Sequence, residues 1–141
     1  MRTWVATLLA MLVVKPAAAA PIPVTGRWLV TDGSAVVEVA PCQVRDSGAK
    51  LCGRIVRVVK PRLGGPATDV KNPDPAQRTQ PIKGITILSG FVSAGDRWKG
   101  RVYDPDSGRS YRAELLRDGG TLHVKGCLGP FCRTLNWTRV G

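Results

Sequence analysis

The stretch RWKGRVYDPDSGRSYRAELLRDGGTLHVKG, residues 97–126, decides the fold. Trp98, Gly100 and Val102 alternate with Arg97, Lys99, Arg101 and Tyr103, and Tyr111, Ala113 and Leu115 alternate with Ser110, Arg112 and Glu114. Leu122 and Val124 alternate in the same way with Thr121, His123 and Lys125. A period of two marks strands with one apolar face, and here the opposite face is basic. The breaks are chemically explicit. Asp104-Pro105-Asp106-Ser107-Gly108 sets proline at a turn entrance and glycine at its exit. Arg117-Asp118-Gly119-Gly120 supplies residues that accept positive φ. Strands joined this tightly must run antiparallel.

Outward from this core the same signals recur. Strands are predicted near Gly26–Thr31, Ala35–Ala40, Leu51–Val59, Ile85–Val92, Arg97–Tyr103, Ser110–Arg117, Thr121–Gly126 and Arg133–Val140. Thr31-Asp32-Gly33-Ser34 makes another tight turn. Only the segment from Lys60 to Gly84 breaks the rhythm: its five prolines (Pro61, Pro66, Pro73, Pro75, Pro81) forbid a regular strand or a long helix. It reads as one long loop with a short helical turn around Pro75 to Arg78. The set of strands is bracketed by Gly26-Arg27-Trp28 and Trp137-Thr138-Arg139. When a sheet closes on itself its first and last strands become neighbours, and a guanidinium can then lie over an indole face. The expectation is an all-β protein: one domain, an eight-stranded antiparallel meander barrel.

Residues 1–19 read as an export signal. Arg2 is the positive start, Trp4 to Val14 the apolar core, and Ala17 to Ala20 the small-residue cleavage zone, with the cut placed after Ala19. This eleven-residue core is too short to span a membrane, which takes about 18 apolar residues or more, and no later segment approaches that length, so the mature domain, 20–141, is not expected to span a membrane. Loss of Arg2 and Lys15 lowers the formal charge from +11 to +9, with 19 basic and 10 acidic residues left. The expected location is periplasmic or secreted. Four cysteines in an exported chain point to two disulfides with three connectivities open; Cys42 with Cys52 and Cys127 with Cys132 are preferred, because each pair flanks a turn-rich stretch. A zinc site is the rival, and the spacing lacks the close Cys-x2-Cys pair of a zinc knuckle. No metal and no cofactor are expected.

Taken in order, Gly26-x-Trp28, Ala40-Pro41-Cys42, Leu51-Cys52-Gly53-Arg54-Ile55, Asp69-Val70-Lys71-Asn72-Pro73-Asp74, Trp98-x-Gly100-x-Val102-Tyr103-Asp104-Pro105, Ser107-Gly108-x-x-Tyr111 and Gly126-Cys127-Leu128-Gly129 resemble the bacterial exported family DUF2147. The resemblance covers essentially the whole mature chain. It implies a lipocalin-like barrel, in which the Gly-x-Trp tryptophan plugs the closed end beneath a basic residue of the last strand. By that implication Trp28 and Arg139 form the plug, with Arg133 the substitute. The Cys127–Cys132 bridge rests on compartment rather than on the resemblance.

Candidate chemistry has a plain alternative at each point. Trp28 with Arg139 is scaffold before it is a ligand clamp. Asp69, Asn72 and Asp74 offer oxygens at short spacing, but they lack the glycine and bidentate glutamate of a calcium loop and suit Asx-Pro turns. Tyr103, Asp104, Asp106, Ser107 and Tyr111 gather at one hairpin, where turn geometry already accounts for them. His123 sits on a solvated face. The basic residues Arg97, Lys99, Arg101, Arg112, Lys125 and Arg139 suit an anionic envelope surface. Nucleic acid is not an expected partner, since the tryptophans alternate inward and leave no stacking platform. Three functions follow in order of preference. The first is a non-enzymatic binder of a small apolar or amphipathic ligand in the barrel mouth, gated by the Lys60–Gly84 loop and lined by Trp98, Val102, Tyr103, Tyr111, Leu115, Leu122, Val124 and Leu135. The second is an envelope structural or interaction protein using the basic outer face. The third is a hydrolase built on Tyr103, Asp104 and Asp106.

Overall fold

The computed structural model describes residues 10–16, 20–43, 50–61 and 67–141. Most of the expected export signal, 1–9 and 17–19, lies outside them, as do positions 44–49 and 62–66 of two connections. Eight strands form in chain order: β1 (Gly26–Leu29), β2 (Ala35–Pro41), β3 (Leu51–Val58), β4 (Thr86–Ala94), β5 (Arg97–Asp104), β6 (Arg109–Asp118), β7 (Thr121–Leu128) and β8 (Phe131–Val140). Each pairs antiparallel with the next, and β1 pairs with β8 through Arg27↔Val140, Trp28↔Arg139 and Leu29↔Thr138, so the sheet is a closed barrel. The only helical piece among the described residues is a 3-10 turn, Pro75–Gln77, capped by the Asp74 carboxylate on the Ala76 N–H.

Alternation puts the apolar face inside, where Trp28, Leu88, Phe91, Leu115 and Leu122 are fully buried. In an up-and-down barrel successive turns alternate between the two ends. The β1–β2, β3–β4, β5–β6 and β7–β8 connections therefore gather at one rim, and the remaining turns and both ends of the sheet gather at the other. The two bridges divide likewise. Cys42–Cys52 ties β2 to β3 at the second end, and Cys127–Cys132 ties β7 to β8 at the first. Their loops span 10 and 5 residues, so in the chain-entropy picture each contributes about 2–3 kcal/mol. Reduction with alkylation is expected to lower the unfolding free energy measured by denaturant titration by about 4–5 kcal/mol in all; a loss under about 1 kcal/mol would show that the bridges constrain nothing.

Candidate functional site

The base of the barrel is occupied by the chain that enters β1. Pro21 and Val24 are buried, and four successive carbonyls, residues 22–25, each accept a hydrogen bond from a different strand. Trp98 Nε1 of β5 donates to Ile22 O (3.2 Å), Arg117 Nη1 of β6 to Pro23 O (3.1 Å), Trp28 Nε1 of β1 to Val24 O (2.9 Å) and Arg139 Nη1 of β8 to Thr25 O (3.3 Å). The guanidinium carbons of Arg139 and Arg117 stand 5.4 and 5.7 Å from the Trp28 ring centroid, within cation–π range. Gly26 holds φ +128°, and a Cβ there would come within 2.9 Å of the Arg139 guanidinium, so both backbone and space require glycine. Arg133 takes no part in this cluster. Six residues up β8, at about 3.3 Å each, carry it to the opposite rim. Arg117, which the sequence reading did not single out, is the second cation.

At that opposite rim the barrel opens into a cavity of about 720 Å³. Val102, Tyr103, Tyr111, Val124 and Leu135 line it, with Val30, Ile55, Ile87 and Trp137 completing an apolar wall. Trp98, Leu115 and Leu122 do not. They sit nearer the base, where Leu115 and Leu122 are fully buried and Trp98 packs against the core and Ile22. The interior is thus filled in its lower part and hollow in its upper part. Beneath the hollow the Trp137 indole N–H is buried without a hydrogen-bond partner among the described residues, a penalty of about 1–3 kcal/mol in a protein interior.

Charged groups ring the opening: Asp32, Lys60, Asp104, Asp106 and Arg133. Asp32 is held below the usual carboxylate range, first by its hydrogen bonds with Ser34 and then by the Lys60 charge. Asp104 Oδ1 accepts the Asp106 backbone N–H at 3.0 Å, so this carboxylate shapes its own turn. His123 is far from both. It stands on the outer face with Nδ1 2.7 Å from Asn136 Oδ1, and no proton relay joins it to the rim among the described residues.

The β3–β4 connection forms a strap beside the opening. Residues 67–84 are stitched by a Thr68↔Pro81 bridge and by Asp69 N–H donating to Gln80 O. Gly84 N–H to Ile55 O fastens the strap to β3. Its anchor to β5 is Asp69, 1% exposed, whose two carboxylate oxygens accept from Tyr103 Oη (2.7 Å) and Asn72 Nδ2 (2.8 Å). Lys71 Nζ also donates to Asp106 O at 2.8 Å. Asn72 Oδ1 accepts the Asp74 N–H, and Asp74 caps the 3-10 turn. The three residues that offered oxygens at short spacing therefore spend them on building the strap and anchoring it to β5, and no group of three or more metal-ligating side chains occurs among the described residues.

The basic outer face is partly neutralised. Glu114 accepts from Arg97 at 3.0 Å and lies 4.0 Å from both Lys99 and Lys125, and the Arg97 hydrogen bond leads the causes that hold its pKa low. Arg139, counted on this face from the sequence, instead belongs to the base. No helix among the described residues is long and apolar enough to cross a membrane.

A closed antiparallel meander of eight strands, plugged at one end by tryptophan and arginine and hollow at the other, is a lipocalin-like barrel. The chain belongs to the family DUF2147, described as an uncharacterized protein conserved in bacteria, whose pattern matches residues 26–139. Among solved structures it is similar to protein HP1028 from the human pathogen Helicobacter pylori, which is described as belonging to the lipocalin family. The two are 21% identical, with a TM-score of 0.69 over 85% of this chain and 84% of that one. No curated protein sequence matches the chain.

Proposed function

We propose that this is an exported, periplasmic or secreted protein that binds a small amphipathic ligand in the upper barrel without transforming it. The observation that carries the reading is the hollow itself. A cavity of about 720 Å³ is far more than a packing defect, and it falls within the roughly 300–1,000 Å³ of small-molecule sites. Its wall is apolar and its rim charged, so a ligand with a hydrocarbon body and one polar end matches it. The turn role of Asp104 and the remote position of His123 favour binding over hydrolysis. The two disulfides fit an oxidising compartment.

Gly126 offers a direct test. A Cβ there would lie 3.6 Å from Val102 Cγ1 and 3.8 Å from Tyr111 Cβ, ordinary contacts, so a larger side chain enters the cavity without moving the wall. Gly126→Leu is expected to weaken binding of an amphipathic probe such as anilinonaphthalene sulfonate at least about tenfold, because the added volume displaces the probe. Its unfolding midpoint should hold or rise, since glycine weakens a strand. Trp137 is the tryptophan that lines the cavity, so probe binding should alter its emission. Equal probe affinity in wild type and Gly126→Leu would overturn the reading.

A further inference from the structure

The β7–β8 hairpin ends in an apolar tip at the cavity mouth. Phe131 is 81% exposed and Leu128 57%, at the rim where the cavity opens. An aromatic side chain left in water on a mobile loop would be unremarkable, but this tip is braced. The Cys127–Cys132 bridge closes the four residues Leu128–Phe131 at their base, and Arg112 Nη2 donates to Gly129 O at 3.1 Å from the neighbouring strand. The backbone that carries Phe131 is therefore fixed at the mouth, where Phe131 and Leu128 border the cavity and remain largely in water.

On the tip's side of the rim stand Arg109, Arg112 and Arg133, while Asp32, Asp104 and Asp106 stand round the rest of the opening. Of the β7 and β8 cations only Arg133 is near the tip, since Lys125 lies beside Glu114 on the outer face and Arg139 belongs to the opposite base. Arg109 and Arg112 of β6 lie beside the same end, and Arg109 and Arg133 are exposed. Val58 and Val59, also substantially exposed, stand at the end of β3 on the same rim. The feature is a braced apolar point with three arginines at its side. One phenylalanine and one leucine are too small an area for a stable protein partner, which takes about 800 Å² per side. A lipid surface needs no such area: apolar side chains enter the boundary layer while arginines meet anionic head groups.

We propose that the open rim docks on an anionic phospholipid bilayer, with Phe131 and Leu128 entering the interface and Arg109, Arg112 and Arg133 against the head groups. The cavity then faces the membrane, the natural source or destination of an amphipathic ligand. The docking claim stands on the rim alone and goes beyond the ligand reading.

The test is co-sedimentation of the disulfide-bonded protein with two kinds of vesicle, phosphatidylcholine alone and phosphatidylcholine with roughly one-third phosphatidylglycerol. Binding to the mixed vesicles is expected, at least about tenfold weaker on phosphatidylcholine alone and falling with added salt. Phe131→Ser is expected to weaken it at least about tenfold with no change in thermal midpoint, because the side chain is already in water. In Phe131→Trp, emission should move to the blue on mixed vesicles only. Gly126→Leu separates the proposals: vesicle binding retained there, with probe binding lost, supports both. Absence of binding to mixed vesicles, equal binding to both kinds, or undiminished binding by Phe131→Ser would each overturn the docking proposal and leave the ligand reading standing.

Discussion

Trp28→Ala is expected to destabilise the protein by about 4–5 kcal/mol, at the upper end for truncating a buried aromatic. The residue is fully buried and serves three partners at once. Its ring fills the base, its N–H satisfies the Val24 carbonyl, and its faces receive Arg117 and Arg139. Truncation leaves a void, an unpaired carbonyl and two guanidiniums without their aromatic partner. For a domain of this size the loss corresponds to a fall in Tm of roughly 15–25 °C. Trp28→Phe keeps most of the volume and should cost about 1–2 kcal/mol, chiefly through the lost hydrogen bond. Arg139→Ala should couple to Trp28→Phe by about 0.5–2 kcal/mol in a double-mutant cycle. Denaturant unfolding followed by circular dichroism checks all three. A loss below about 2 kcal/mol for Trp28→Ala would mean the base is not held by this side chain.

Asp69→Ala is the second large effect, expected at about 3 kcal/mol, because two hydrogen bonds to a buried carboxylate are lost together. The Tyr103 hydroxyl and the Asn72 amide lose their acceptor, and the strap loses its anchor to β5. Loss is expected to be local before it is global. Lys71, Arg78 and Lys83 lie within the strap and are trypsin sites, so limited tryptic cleavage there should accelerate at least about tenfold while the barrel strands stay protected. Asp69→Asn keeps one acceptor but turns a donor toward a donor, and should cost about half as much. Unchanged cleavage in Asp69→Ala would show that the strap is held by its backbone bonds alone.

The strands were legible where alternation and turn chemistry agreed. Residues 97–126 form β5, β6 and β7 within two residues of the predicted limits, because Trp98, Val102, Tyr111, Leu115 and Val124 must share one face whatever the barrel does elsewhere. β4 runs to Ala94 rather than Val92: Gly90, at φ +65°, lies where the pairing with β5 shifts between Ser89 and Val92, and an irregularity of this kind blurs a period-two signal. At the base Trp28 and Arg139 were readable through the family pattern, and Arg117 was not, since one inward arginine on β6 has no local mark. Least legible were the carbonyls of residues 22–25. Backbone acceptors leave no trace in residue type, and the Arg139 bond to Thr25 O spans 114 positions. Which tier of the interior is hollow was equally hidden. Alternation says which residues face in, while the height at which packing stops depends on side chains from every strand at once.

The pairing of β1 with β8 makes this a fold that no shorter N-terminal portion of the chain can complete. With residues up to Leu128 present, β1 and β7 are both raw edges with open hydrogen-bonding groups. Trp28 has one of its two cations, and Thr25 O lacks its arginine. The final ten residues of β8 supply the closing ladders, the second cation and the far half of the Cys127–Cys132 bridge in one step. The barrel is therefore a structure whose stability arrives late in synthesis, set by contacts between the ends of the domain.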